Sequence, residues 1–105
     1  MRKALGQPND KERREKALFM ALLQLEKVSE VEKFLVDLCT PSELQAMADR
    51  WEVARLVEKG MPYRKIQELT GVSTATVTRV ARSLSHGENG YKLVMDRVTE
   101  DKKRA

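Results

Sequence analysis

Residues Tyr63–Leu84 read YRKIQELTGVSTATVTRVARSL, two short periodic segments on either side of a glycine. Ile66 and Leu69 sit at helical spacing in a short amphipathic segment, Gly71 offers a tight turn, and Ser73 is a suitable cap for a second segment carrying Val77, Val80 and Leu84. Two short helices joined in this way make a helix-turn-helix. With Val72 in the turn and these apolar positions pinning the helices together, the other face of the second helix turns outward with Ala75, Thr78, Arg79 and Arg82. That face is small, hydroxylic and cationic and carries no carboxylate. Major-groove entry asks for this composition: small residues allow close approach, threonine bonds base edges or touches a thymine methyl, and arginine pairs with guanine or phosphate. The plainer alternative is an ordinary helical hairpin with a solvated face.

Caps and stops divide the rest of the chain. Asn9 with Glu12, Ser29 with Glu32 and Thr40 with Glu43 have the spacing of capping boxes, and Pro41 suits the first position of a helix. Gly60, Gly71 and Gly87 each follow a periodic segment and are expected to take the left-handed conformation of a helix end. Helices are therefore expected at about residues 10–28, 30–39, 41–59, 62–70, 73–85 and 90–99, with frayed, charged ends at 1–8 and 101–105. Leu18, Phe19, Leu22, Leu23 and Leu25 give the first a broad apolar surface, and Val31, Phe34, Leu35 and Leu38 mark the second. The third, with Leu44, Met47, Ala48, Trp51 and Ala54 widened by Val53, Leu56 and Val57, needs neighbours on more than one side. No strand alternation, repeat or low-complexity stretch interrupts the pattern.

The 105 residues fit a single all-α domain, and the low aromatic content of 5% with five glycines and three prolines suits a helical globule. Net charge is +4, and its distribution says more than its size: 2–16 and 61–86 are each net +3, whereas 26–59 is net −3. One cysteine, Cys39, and one histidine, His86, leave a His/Cys metal site short of ligands and give no nucleophile–base pair with an orienting partner, so neither a metal cofactor nor an enzyme is expected. Cys39 reads as a small buried residue, Trp51 as a core aromatic and His86 as a helix-end side chain. No apolar run suits a signal peptide or a membrane span, and a cytoplasmic protein is expected.

The segment CTPSELQAMADRWEVARLVEKGMPYRKIQELTGVSTATVTRVARSL, residues 39–84, resembles the tryptophan repressor family in its TPxE helix start, its DR…E…KG middle and its GxSTATVTR recognition helix. The resemblance to the TrpR-related YerC/YecD proteins is closer and extends over most of the chain, including the GENGYKLVMDRV tail. It implies an intertwined, all-helical homodimer whose N-terminal and C-terminal helices share one core and whose two heads project toward double-stranded DNA. Independently, the first three helices hold more apolar surface than a chain of this size easily covers. Two-fold symmetry would set the recognition helices roughly 34–36 Å apart, matching a near-palindromic operator.

By the same resemblance, the base-facing positions fall on Thr74, Ala75 and Thr78, and a phosphate-contacting position falls on Arg64. Arg82 is added from the helical wheel. The two arginines that sandwich the corepressor indole in tryptophan repressors match Arg50 and Arg79, and Thr40 and Ser83 match residues near that pocket. The chain departs from the pattern at Val80, where the repressors have the glycine that leaves a gap for the indole. A branched side chain there should occlude the gap, so tryptophan is not the expected corepressor. Arg50 and Arg79 then have two readings. In one, Arg50 pairs with Asp49, Glu52 or Glu68 while Arg79 binds phosphate; in the other, both hold an unknown small anionic effector. Three functions stay open: a dimeric sequence-specific regulator, foremost a repressor; the DNA-binding subunit of a transposition system; and a helical interaction module without nucleic-acid binding.

Overall fold

The computed structural model describes the backbone from Pro8 to Arg104 and the side chains from Asn9 to Thr99. Among these residues there are helices and no strands: α1 Pro8–Leu22, α2 Val28–Leu38, α3 Pro41–Glu58, α4 Tyr63–Thr70, α5 Thr74–His86 and α6 Gly90–Arg104. The expected all-α class is therefore observed. The helices group into two units, one ending at Thr40 and one beginning at Pro41.

In the first unit the helix boundaries differ from the sequence reading. Asn9 lies inside α1 rather than capping it, and Asp10 in the first turn bridges Arg13 at 2.8 Å and Arg14 at 3.6 Å. A carboxylate there also complements the positive end of the helix dipole. The first helix stops at Leu22, well short of Val28, through tightened backbone bonds from Gln24 to Ala21 and from Leu25 to Leu22. The cause is Glu30, whose Oε1 accepts from the Glu26 amide at 2.8 Å and the Lys27 amide at 3.3 Å. This half of a capping box makes Lys27 the cap of α2 and places Ser29 inside the helix. The break uses no glycine or proline, and the Ser29–Glu32 spacing puts it too late in the chain. Of the apolar surfaces expected for the first two helices, Phe19 is 61% exposed, Leu23 81% and Leu38 50%, whereas Leu18, Leu25, Phe34 and Leu35 are half-buried.

The second unit holds the core. Val53, Ala54 and Leu56 of α3, Ile66 of α4, and Val77 and Val80 of α5 form one buried cluster, with Val57, Met61, Val72, Leu84, Tyr91 and Met95 packed around it. The buried stripe of α3 is thus centred on Val53, Ala54 and Leu56, while Leu44, Met47 and Trp51 are half-buried and Ala48 is exposed. Trp51 stacks on Tyr91 with ring centroids 6.4 Å apart, and Lys92 reaches Glu58 at 3.7 Å, so α6 lies against α3. The helix continues to Arg104, past the end expected at Thr99 and through most of the tail expected to fray. Pro8, expected in the frayed end, opens α1, and residues 1–7 and 105, the rest of the expected fraying, lie outside the described residues.

Each connection has a local cause. At the end of α3 the Met61 amide bonds Leu56 O at 3.1 Å and the Gly60 amide bonds Val57 O at 2.9 Å, a Schellman closure that delivers Met61 to the core. Pro62 serves as the cap of α4 rather than its first residue. Gly71 ends α4 at φ +73°, a left-handed conformation in which a Cβ would be strained. Thr70 then bridges into the turn, donating to Ile66 O at 2.7 Å and accepting from the Val72 amide at 3.1 Å. Ser73 caps α5 as expected, accepting from the Thr76 amide at 3.2 Å. Gly87 departs from expectation. Its φ is −89°, and the reason for glycine is space, since a Cβ would stand 2.4 Å from Ser83 O.

Ile66 is fully buried at the junction of three helices. Ile66→Ala is expected to lower unfolding free energy by about 2–5 kcal/mol in a urea titration, the range for deleting a buried aliphatic side chain. The exposed Leu69→Ala, at 58% exposure, should cost far less.

Candidate nucleic-acid interface

The head is built from α4, the turn at residues 71–73, and α5. Burying Val77 and Val80, each 1% exposed, fixes the rotation of α5, because residues three or four apart share a face of a helix. The remaining surface of α5 is consequently decided: Thr74, Ala75, Thr78, Arg79, Arg82 and Ser83 are all exposed. Arg64 is exposed on the first turn of α4. Leu69 does not join the clamp as expected; at 58% exposure it lies on the outside of α4, and Ile66 alone supplies the buried contact from that helix.

Arg64, Lys65, Arg79 and Arg82 form no salt bridge among the described residues, where the ion pairs are Asp10 with Arg13 and Arg14, Glu52 with Arg55, and Glu58 with Lys92. The first turn of α5 carries no acidic residue. A helix N-terminus with its carboxylates removed and its cations uncommitted favours an anion. Tyr63, Thr78, Ala81, Arg82, Ser85 and His86 line an open groove of about 470 Å³ along one side of α5, where an arginine and a phenol stand beside Thr78.

Val80 is packed in the core, on the buried side as expected. Ser83 lines a concavity of about 560 Å³ with Trp51, Gly87, Glu88, Gly90, Tyr91 and Val94, and neither Arg50 nor Arg79 is among its lining residues. Thr40 ends the other unit. The carboxylates considered for Arg50 have different partners or none: Asp49 accepts from Gln45 at 2.8 Å, Glu52 pairs with Arg55 at 3.0 Å, and neither Arg50 nor Glu68 forms a salt bridge among the described residues.

One residue of the head was not found in the sequence. Gln67, half-buried on α4, donates from Nε2 to Oγ1 of Thr74 at 2.6 Å. The seven-residue separation across a tight turn brings the two helix segments together, but the sequence does not specify the amide rotamer that completes the bond.

The Trp repressor protein family matches residues 14–99. The chain belongs to the Trp repressor family. Uncharacterised protein YerC of Bacillus subtilis (strain 168) is 46% identical over 83 residues, covering 79% of this chain and 80% of its own length. A Staphylococcus aureus protein, whose crystal structure is provisionally described as a Trp repressor, superposes with a TM-score of 0.80 at 36% identity, covering 90% of this chain and 96% of that one. A TrpR-like protein from Eubacterium eligens ATCC 27750 gives a TM-score of 0.76 at 40% identity, covering 80% and 87%. These matches make the six-helix arrangement a Trp repressor-like fold.

The outward residues of the head bear none of the core's packing. Arg64→Ala, Thr78→Ala and Arg82→Ala are expected to leave the unfolding free energy within about 0.5 kcal/mol of the unsubstituted protein in a urea titration.

Proposed function

We propose that the protein is a sequence-specific DNA-binding transcriptional regulator, a repressor, that recognises a near-palindromic operator as a homodimer. The observation carrying this reading is the exposed face of α5. Its hydroxyl, methyl and guanidinium groups stand opposite a fully buried Val77 and Val80, so the packing that holds the helix also directs these groups to solvent. Thr74, Ala75 and Thr78 take the base-reading positions, Arg64 contacts phosphate, and Arg79 and Arg82 add cationic contacts to the DNA.

Dimerisation is supported by where the apolar residues lie. None of the buried apolar residues comes from α1 or α2 among the described residues, while Met20 is 59% exposed, Val28 85% and Leu38 50%. Leu93, Val94 and Val98 of α6 are each nearly half exposed. So much open aliphatic surface on a 105-residue chain suits a core completed by a second copy. Tryptophan is not the ligand that licenses binding in this reading, because Val80 fills its position and overpacking typically costs about 1–3 kcal/mol.

Selection of bound sequences from a random duplex pool tests the reading directly. A two-fold symmetric consensus is expected, bound equally with and without added tryptophan. Affinity should fall with salt on a log–log plot with a slope near −0.9 per neutralised phosphate, whereas an interaction module would show almost none. Arg64→Ala should weaken all sequences alike, and Thr78→Ala should relax preference at defined positions. Absence of any salt-dependent binding would overturn the proposal. A symmetric consensus bound by a monomer in sedimentation equilibrium would remove the dimer from it.

A further inference from the structure

We propose that Gln67 is a positioning residue that orients the hydroxyl of Thr74 as a hydrogen-bond donor toward DNA, so that a residue of α4 sets base preference at one operator position. The inference rests on the DNA-binding reading and adds to it a residue on the helix that precedes the reading helix. Gln67 Nε2 lies 2.6 Å from Thr74 Oγ1 and, among the described residues, theirs is the side-chain hydrogen bond that crosses from α4 to α5. An amide nitrogen donates and does not accept, so the Thr74 oxygen is the acceptor. Its own hydrogen is then directed away from Gln67, and the incoming bond polarises it into a stronger donor.

The bond does little for the union of the two helices. Ile66, Val77 and Val80 already hold them through buried contact, and an exposed neutral hydrogen bond exchanges readily with water. What it provides is direction. Thr74 is the first residue of α5 and is exposed, the place from which recognition helices commonly address bases. A freely rotating hydroxyl donates or accepts with equal ease and discriminates poorly. Held as a donor, it favours edges that present acceptors in the major groove: purine N7, guanine O6 or thymine O4. Cytosine presents there an amino donor. One lone pair of the Thr74 oxygen stays open, so cytosine meets the weaker, accepting side of the hydroxyl and ranks below the acceptor-bearing edges on the contacted strand.

The test compares sequences selected from one random duplex pool by the unsubstituted protein, Gln67→Leu, Gln67→Glu and Thr74→Val, with circular dichroism melts checking that each variant is folded. Gln67→Leu and Thr74→Val are expected to lose discrimination at the same single position, by about fivefold, the lower end for a base-edge contact. Gln67→Glu reverses the sense of the bond. Its carboxylate accepts the Thr74 hydrogen and leaves the oxygen facing DNA as an acceptor, so preference at that position should move toward the amino groups of cytosine or adenine while other positions stay as they were. A position altered by Thr74→Val but untouched by both Gln67 variants would overturn the inference and leave the DNA-binding reading intact. Equal weakening on every sequence would do the same, marking Thr74 as a phosphate contact. Failure of the unsubstituted protein to select any sequence would overturn both.

Discussion

Contact between Ile66 and the Val77–Val80 side of α5, laid over Val53 and Leu56 of α3, is the constraint on which the head depends. These are close-packed aliphatic side chains with almost no exposure, so sliding or rotating α5 would open space on one side and force overlap on the other. A helix of 13 residues has modest stability on its own. Here tertiary contact makes it rigid, and a rigid helix presents its outer side chains in one arrangement. The same packing that stabilises the second unit therefore sets which residues face solvent.

Much of this was legible because it depended on residue types with narrow uses. Gly71 with positive φ, Ser73 accepting from Thr76, and Val77 and Val80 at helical spacing each determine a local geometry almost alone. The misplaced elements depended on side chains with many uses. Glu30 ends one helical run and begins the next by bonding two amides, a role the string LEKVSEVEK does not announce over that of any neighbouring glutamate. Gly87 sits where a helix-end glycine usually supplies positive φ, but its role is to leave room beside Ser83 O. Leu69 fits the periodicity of α4 but falls outside the narrow contact that α5 offers. Of the candidate interface, the outward set on α5 followed from the inward set; the Gln67–Thr74 bond did not, because it depends on rotamers rather than on periodicity.

The two units handle apolar residues differently. From Pro41 onward, the aliphatic side chains at the helix junctions are enclosed, and Trp51 and Tyr91 extend the packing along α6. In α1 and α2 the apolar side chains are half-buried or open, although α2 is strongly amphipathic, with Val31, Phe34, Leu35 and Leu38 along one face. An amphipathic face of that kind is favourable only when something removes it from water. Charge alternates along the chain, with 2–16 and 61–86 net positive and 26–59, which runs through both units, net negative.

Trp51 is the chain's single tryptophan, and it stacks at 21° on Tyr91, one of its two tyrosines. Its indole is therefore the sole source of tryptophan emission, located where α6 meets α3. Tyr91 lies close enough to pass its excitation to the indole, so the protein carries an intrinsic optical gauge of that junction. Displacement of the last helix would alter both the colour and the intensity of the emitted light.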